Sequence, residues 1–322
     1  HHHGQYVIEP ELLKSVQIEP GPGGAMQGTG ALGGSIRFVT KDADDFLQSG
    51  ETFGSFNKAS YFANGDAVKL TSTLYGRAGD NVSLLGAFTW FDTENYEDGN
   101  GDEVDYTAHT QKRGFVKGNI DVLDGQRLGV SVEQTQDKGV FRHRPNFGGF
   151  FTHPRASNVP VPMEISRDTV TLSYEQRAGD AVAGASSTLY YTDYSIDRTG
   201  QYEMGYSSLG LDAHNRSTLG DHALVYGFDF RRDEMSFTGK GASTTPILPI
   251  TYRTIPDEKV RIVGAYAQDN WRATDRIQLS GGVRYDHYDY TDKDGKRFKD
   301  DGLSPNLGAS SKAVEGLRLD PS

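Results

Sequence analysis

The chain has 322 residues, 35 % of them hydrophobic, with a mean hydropathy of −0.59, a net charge of −11 and no cysteine. The acidic balance argues against a nucleic-acid partner, whose phosphates call for a basic surface, and the lack of Cys removes any disulfide framework or thiolate metal site. No stretch approaches the roughly 18–20 apolar residues of a membrane helix, yet a strand alternating between lipid and lumen keeps a low average hydropathy, so a membrane barrel is compatible with these figures.

With 39 Gly, 17 Tyr and 16 Phe, the composition favours β structure. The aromatics suit interfacial girdles; a soluble β-sandwich with an aromatic core is the alternative. No signal peptide is visible and the first residue is not Met, so the start is expected to be processed, truncated or engineered. His1–His3 read equally as a native segment and as the remnant of an affinity tag.

Residues 4–43 stand apart: a short Glu-Leu-Leu-Lys stretch, a Gly-dense run from Gly21 to Gly34, then a strand over Ser35–Thr40. Residues 42–50 read as a linker. Beyond it, period-2 alternation predicts strands at about 51–62, 67–77, 82–93, 110–121, 126–137, 167–178, 183–196, 207–218, 221–236, 258–272, 275–289 and 304–313, with a thirteenth beginning near Gly316. Ile262, Gly264, Tyr266 and Gln268 fall on one face; Leu279, Gly281, Val283 and Tyr285 alternate with Ser280, Gly282, Arg284 and Asp286. Many of these strands exceed the 5–6 residues usual in a globular sheet and suit the ~9–11 residues a tilted strand needs within hydrocarbon.

The connections carry more weight. Compact Gly/Asp turns (Ala78-Gly79-Asp80, Leu123-Asp124-Gly125, Ala178-Gly179-Asp180, Gly220-Asp221, Ala273-Thr274-Asp275, Val314-Glu315-Gly316) alternate with longer loops at about 94–109, 138–166, 197–206, 237–257 and 290–303. Only the first loop, 63–66, breaks the alternation. Outer-membrane barrels have short turns on one side and long loops on the other, a parity that a sandwich has no reason to keep.

Ile8 to Lys41 resembles the C-terminal part of the plug of TonB-dependent outer-membrane receptors. The matching residues are Val16-Gln17-Ile18, Gly21-Pro22, Gln27-Gly28-Thr29-Gly30-Ala31-Leu32-Gly33-Gly34 and Thr40-Lys41; Gln17, Pro20 and Gln27 depart from the family pattern. Gly21, Pro22, Gly28, Gly30, Gly33 and Gly34 are thus structural residues of the plug motif, with backbone freedom suited to compact packing inside a barrel. A nucleotide-binding reading of the glycines lacks the Lys-Ser/Thr and the helix of a P-loop. Near the other end, GGVRYDHYDY and LSPNLGASSKAVEGLRL resemble a mid-barrel strand pair of the same family.

The resemblance implies an all-β fold: an antiparallel transmembrane β-barrel, about twelve of 22 strands present, with the end of a plug. Residues 1–43 would be the C-terminal part of the plug and 44–322 the N-terminal part of the barrel. As an open fragment it would leave two strand edges. The resemblance also implies a multi-pass protein of the Gram-negative outer membrane, in contact with lipid and energised by the TonB-ExbB-ExbD complex. It implies no permanently bound cofactor and no catalysis; haem or a ferric chelate would be the transported ligand.

Gly4-Gln5-Tyr6-Val7-Ile8-Glu9-Pro10-Glu11-Leu12-Leu13-Lys14 resembles the haem-uptake branch, which points to haem or a haem carrier, with a ferric siderophore as the alternative. A passive or scaffold barrel, or a transport-incompetent receptor fragment, is the reading of a different class. Imidazole suits haem iron, so His3, if native, is one candidate ligand. His143 and His153, with Arg142, Arg144 and Phe147, form a loop set able to stack on a porphyrin and pair its propionates; a packed or solvated loop is the plainer reading. His109, His214, His222 and His287 fall in or beside strands and read as girdle or lumen packing. Asp98-Gly99-Asn100-Gly101-Asp102-Glu103 resembles the start of an EF-hand loop, but Glu103 stands at its sixth position and His109 at its twelfth, which leaves a hairpin loop.

Overall fold

The computed structural model describes residues 9–20, 25, 34–142, 152–153, 156–157, 159–176, 184–243, 250–314 and 317–319. A 3-10 turn at Pro10–Leu12 leads into β1 (Leu13–Pro20), which pairs antiparallel with β2 (Gly34–Thr40). Val16 lies opposite Phe38 and Ile18 opposite Ile36. Gly34 opens β2 at a φ of 124°, in the region that favours glycine. A second 3-10 turn, Ala43–Asp45, is closed by the Asp42 N–H donating to the Asp45 carboxylate at 2.8 Å.

The chain then builds one thirteen-stranded antiparallel sheet in which every strand pairs with its neighbours in sequence. Its strands are β3 (Phe53–Phe62), β4 (Ala67–Ala78), β5 (Val82–Thr93), β6 (His109–Leu123) and β7 (Gln126–Phe141), then β8 (Val161–Gln176), β9 (Gly184–Arg198) and β10 (Tyr202–Leu219). They continue as β11 (His222–Gly239), β12 (Ile255–Arg272), β13 (Ile277–Thr291), β14 (Arg297–Val314) and the short β15 (Leu317–Leu319). β3 and β15 are the two edges. Among the described residues no helix is long and apolar enough to cross a membrane.

The two faces of the sheet have opposite chemistry. Polar side chains fill the buried face: Thr71, Thr73, Thr89, Arg113, Asn119 and Arg284 are all nearly inaccessible. The other face exposes Leu74, Val116, Val132, Val170, Tyr191 and Leu209. Those six lie along one cross-strand row, joined through Gly86, from β4 to β10. An exposed apolar surface of this extent is what a sheet presents to lipid rather than to water. The alternation read from the sequence holds here: Val283 and Tyr285 point outward, while Arg284 and Asp286 are buried.

The loops correct part of the expected parity. Residues 94–108 form a longer loop, and 19 residues (142–160) and 15 residues (240–254) separate β7 from β8 and β11 from β12, but 197–206 narrows to a turn at Thr199–Gln201 and 290–303 to residues 292–296. Gly200 makes the first of these turns at a φ of 71°, and Gly295 the second at 75°. The strands extend further than alternation shows because polar side chains occupy both faces of their loop-side ends: Arg232 and Glu234 point out where Arg231 and Asp233 point in. At the opposite end, Gly79, Gly125 and Gly220 hold tight turns at φ of 67°, 73° and 60°, which a residue with a Cβ adopts at a cost. The thirteenth strand appears as β15, paired with the end of β14.

Candidate functional site

The segment before β3 runs along the inner face of the first barrel strands. Glu9 pairs with Lys69 at 2.7 Å and Glu11 with Lys58 near the loop end. At the turn end Asp44 pairs with Arg77 at 2.7 Å and Asp42 with Lys117 at 2.7 Å, while Arg127 reaches Asp44 and Asp121. Between these poles, Leu12 and Ala43 pack on Leu85 and Phe115, and Phe46 stacks on Tyr75 with ring centroids 4.9 Å apart. Burial of these groups gives the docking its apolar driving force, and the ion pairs set its register.

A second contact holds Ala25. It is buried against Val225 and Tyr266, and its carbonyl accepts from the Arg284 guanidinium at 3.3 Å. Arg284 also spans Asp229 (2.6 Å) and Asp286 (2.6 Å). The guanidinium crosses β12 at Gly264, where a Cβ would collide with Nη2.

On the loop side of the same inner face lies a cavity of about 300 Å³, lined by residues of β6–β9 and the 94–108 loop. The loop is fixed from within. The Asn95 side-chain carbonyl accepts the N–H groups of Thr107 (2.9 Å) and Ala108 (3.0 Å), and Asn64 exchanges hydrogen bonds with the Glu97 backbone at 2.7 and 2.9 Å. Tyr106 sits at a φ of 67°, a strained conformation for a large side chain. Its ring faces the Arg142 guanidinium at 5.3 Å.

His109, the first residue of β6, lines the cavity between the rings of Phe91 (5.4 Å) and Phe141 (6.0 Å). Its Nδ1 lies 3.0 Å from the Thr107 carbonyl, which can only accept, so Nδ1 carries the proton and a neutral ring keeps the lone pair on Nε2. Next along the inner face, Arg113, Thr135, Arg167 and Tyr194 form one cross-strand row over β6–β9. Glu133 accepts from both Arg113 (3.0 Å) and Arg167 (2.5 Å). The cavity thus combines aromatic walls, an imidazole and guanidinium groups, a donor set suited to a planar anionic chelate.

Of the residues singled out in the sequence, Arg142 lines this cavity, and so does His109, expected from the sequence to serve girdle or lumen packing. Thr152–His153 pairs with Ala156–Ser157 in a two-residue ladder. His3, His143, Arg144, Phe147, Gly21, Pro22, Gly28, Gly30 and Gly33 lie outside the described residues, as does the side chain of His153. His214 bonds Asp212 at 2.9 Å, His222 bonds Asp269 and stacks on Trp271, and His287 bonds Asp301, so these three are engaged within the sheet. In the 98–103 loop, Asp98 accepts the N–H of Asn100 (2.8 Å) and of Asp102 (3.1 Å), as a hairpin loop does. Tyr96 and Tyr106 of the 94–108 loop, and Thr135, Arg167 and Tyr194, were not legible as site residues, because the last three lie on separate strands that only the register brings together.

Residues 42–319 match the family model described as TonB dependent receptor-like, beta-barrel. The heme transporter BhuA of Brucella ovis is 27 % identical over 332 aligned residues, covering 99 % of this chain and 47 % of that protein. The hemin receptor of Yersinia pestis is 26 % identical over 312, covering 92 % and 44 %. The structure of the FrpB iron transporter from Neisseria meningitidis (F3-3 variant) superposes with a TM-score of 0.83 at 21 % identity, over 97 % of this chain and 52 % of that one. The chain spans about half the length of the relatives it matches. Its paired-neighbour sheet, its inverted faces and the matched length together make this chain a member of the TonB-dependent receptor β-barrel family.

Proposed function

We propose that the protein takes up haem across the outer membrane of a Gram-negative cell by TonB-dependent active transport. The observation that carries this reading is that relatives named for haem and hemin align along 92 % or more of the chain. The cavity supports it with chemistry: an imidazole nitrogen able to meet iron, aromatic side chains to cover a porphyrin, and guanidinium groups for its propionates. The apolar outer face is the lipid contact. Residues 1–43 serve as the end of a plug and 44–322 as barrel, with TonB-ExbB-ExbD supplying the energy and a haem carrier as donor at the surface. The role is transport, not catalysis; no cofactor is permanently held, and haem is cargo.

His109 joins His143, His153 and His3 as candidate iron ligands, with Arg142, Arg144 and Phe147 beside them. Titrating the full-length apoprotein with ferric haem should give a shifted Soret band, weakened by at least one of His109→Ala, His143→Ala and His153→Ala. An unshifted band would overturn the haem reading and favour a ferric siderophore. Binding without energised uptake would instead favour a scaffold barrel.

A further inference from the structure

We propose that Arg142 and Arg167, with Arg113 behind them, form a carboxylate-binding station on the inner wall, and that its ligand is the propionate edge of haem; the choice of ligand rests on the haem reading above. Arg142 and Arg167 both line the cavity. Thr135, also in its lining, stands between Arg167 and Arg113 in the cross-strand row. Arg113 is 5 % exposed, and its only ion pair among the described residues is the Glu133 carboxylate that it shares with Arg167. Two guanidinium groups on one carboxylate leave a surplus positive charge.

Several of their remaining donors are unpaired. Arg113 Nε and Nη1, Arg167 Nε, Arg142 Nε and the Thr135 hydroxyl are buried without hydrogen-bond partners. Buried donors left unpaired are costly, and such groups concentrate where a ligand or a rearrangement supplies the partner. Arg142 adds a third cation: it rests on the Tyr106 ring and has no ion pair among the described residues. A carboxylate accepts a guanidinium bidentately, a geometry that lysine cannot supply.

The cavity also holds Asp105 and Asp137. Asp137 lies one inward position toward the loops from Thr135, opposite Gln111 and Ile165 rather than the arginines. Along the wall, Arg142 follows the end of β7 on the loop side of Asp137, while Arg167 and Arg113 lie on its deeper side, so guanidinium groups flank this acid at both ends. At about 300 Å³ the space is at the small end for ligand pockets and takes one edge of a porphyrin.

The test compares ferric haem with its dimethyl ester, in which both propionates are neutral, by absorbance titration of the full-length protein. Haem should bind about tenfold more tightly than the ester, the size of effect expected for a charge-assisted hydrogen bond. Arg167→Gln and Arg142→Gln should each remove most of that difference while leaving ester affinity unchanged. Arg167→Lys should keep part of it, which separates lost charge from lost folding. Equal affinity for the two pigments, or an equal loss for both in the Gln variants, would overturn the station while leaving haem uptake standing. Failure of both pigments to bind would overturn the haem reading and the station with it.

Discussion

Arg284 shows how the inner wall solves a local problem. Its guanidinium is buried between Asp229 and Asp286 and still donates to the Ala25 carbonyl. Removing the cation would strand two carboxylates in a poorly solvated place, and breaking such a pair costs about 3–5 kcal/mol. Arg284→Ala should therefore lower barrel stability by an amount in that range. Gly264→Ala, which drives a methyl into the same guanidinium, should cost about 1–3 kcal/mol. Thermal unfolding in detergent, read by loss of the heat-resistant folded form, checks both; a Gly264→Ala protein as stable as the parent would show that the guanidinium has another place to go. The alternation around Arg284 was legible in the sequence, since Val283 and Tyr285 flank it as outward residues. Its partners were not, because Asp229 and Ala25 are brought near only by register and by the docked segment.

At the scale of elements, β7 separates the two environments residue by residue. Val130 is 45 % exposed on the apolar face, while its neighbour Ser131 faces inward. An arginine facing the bilayer midplane costs about 2–4 kcal/mol. Val130→Arg should accordingly reduce the folded protein recovered from outer membranes, whereas Ser131→Asn should not; equal yields would mean that this face does not meet lipid. The strands' membrane halves were legible because one face is apolar throughout. Their loop-side ends were not, since polar residues on both sides erase the period-2 signal and two expected loops are in fact strand and tight turn.

The docked segment before β3 is a separate element with its own pH dependence. The neighbouring Glu9 carboxyl and the Lys58 ammonium hold the Glu11 carboxyl down at about 2 from an ordinary 4.5. Burial pushes Glu9 the other way, upward. A lowered folded value means that the contribution of Glu11 to docking is complete above about pH 4.5 and is lost as the pH falls toward 2. The raised value of Glu9 has the opposite sign, favouring the docked form on acidification until Glu11 is protonated as well. Limited proteolysis across this range should show protection of residues 9–20 falling below about pH 4.5, and Glu11→Gln should weaken protection at neutral pH and flatten the acid transition. Unchanged protection in Glu11→Gln would show that the apolar contacts of Leu12 and Ala43 alone hold the segment.

For the whole molecule, the class was readable in the sequence: turn chemistry and alternation pointed to a barrel wall, and the sheet order and the family match over residues 42–319 agree. The candidate site was readable only at Arg142. Its other members are His109, read from the sequence as packing, and Thr135, Arg167 and Tyr194, each an inward residue of a different strand, and no local pattern distinguishes them from the rest of a polar lumen. What the assembled molecule proposes is a path from a loop-side cavity, past guanidinium groups, to a docked segment at the turn side. The most direct test expresses the full-length protein in cells that lack their own haem receptors and follows uptake of iron-labelled haem with TonB intact and with TonB deleted. The account predicts accumulation that saturates with haem and disappears without TonB; accumulation that persists unchanged in the deletion, or that appears only with a ferric siderophore, would contradict it.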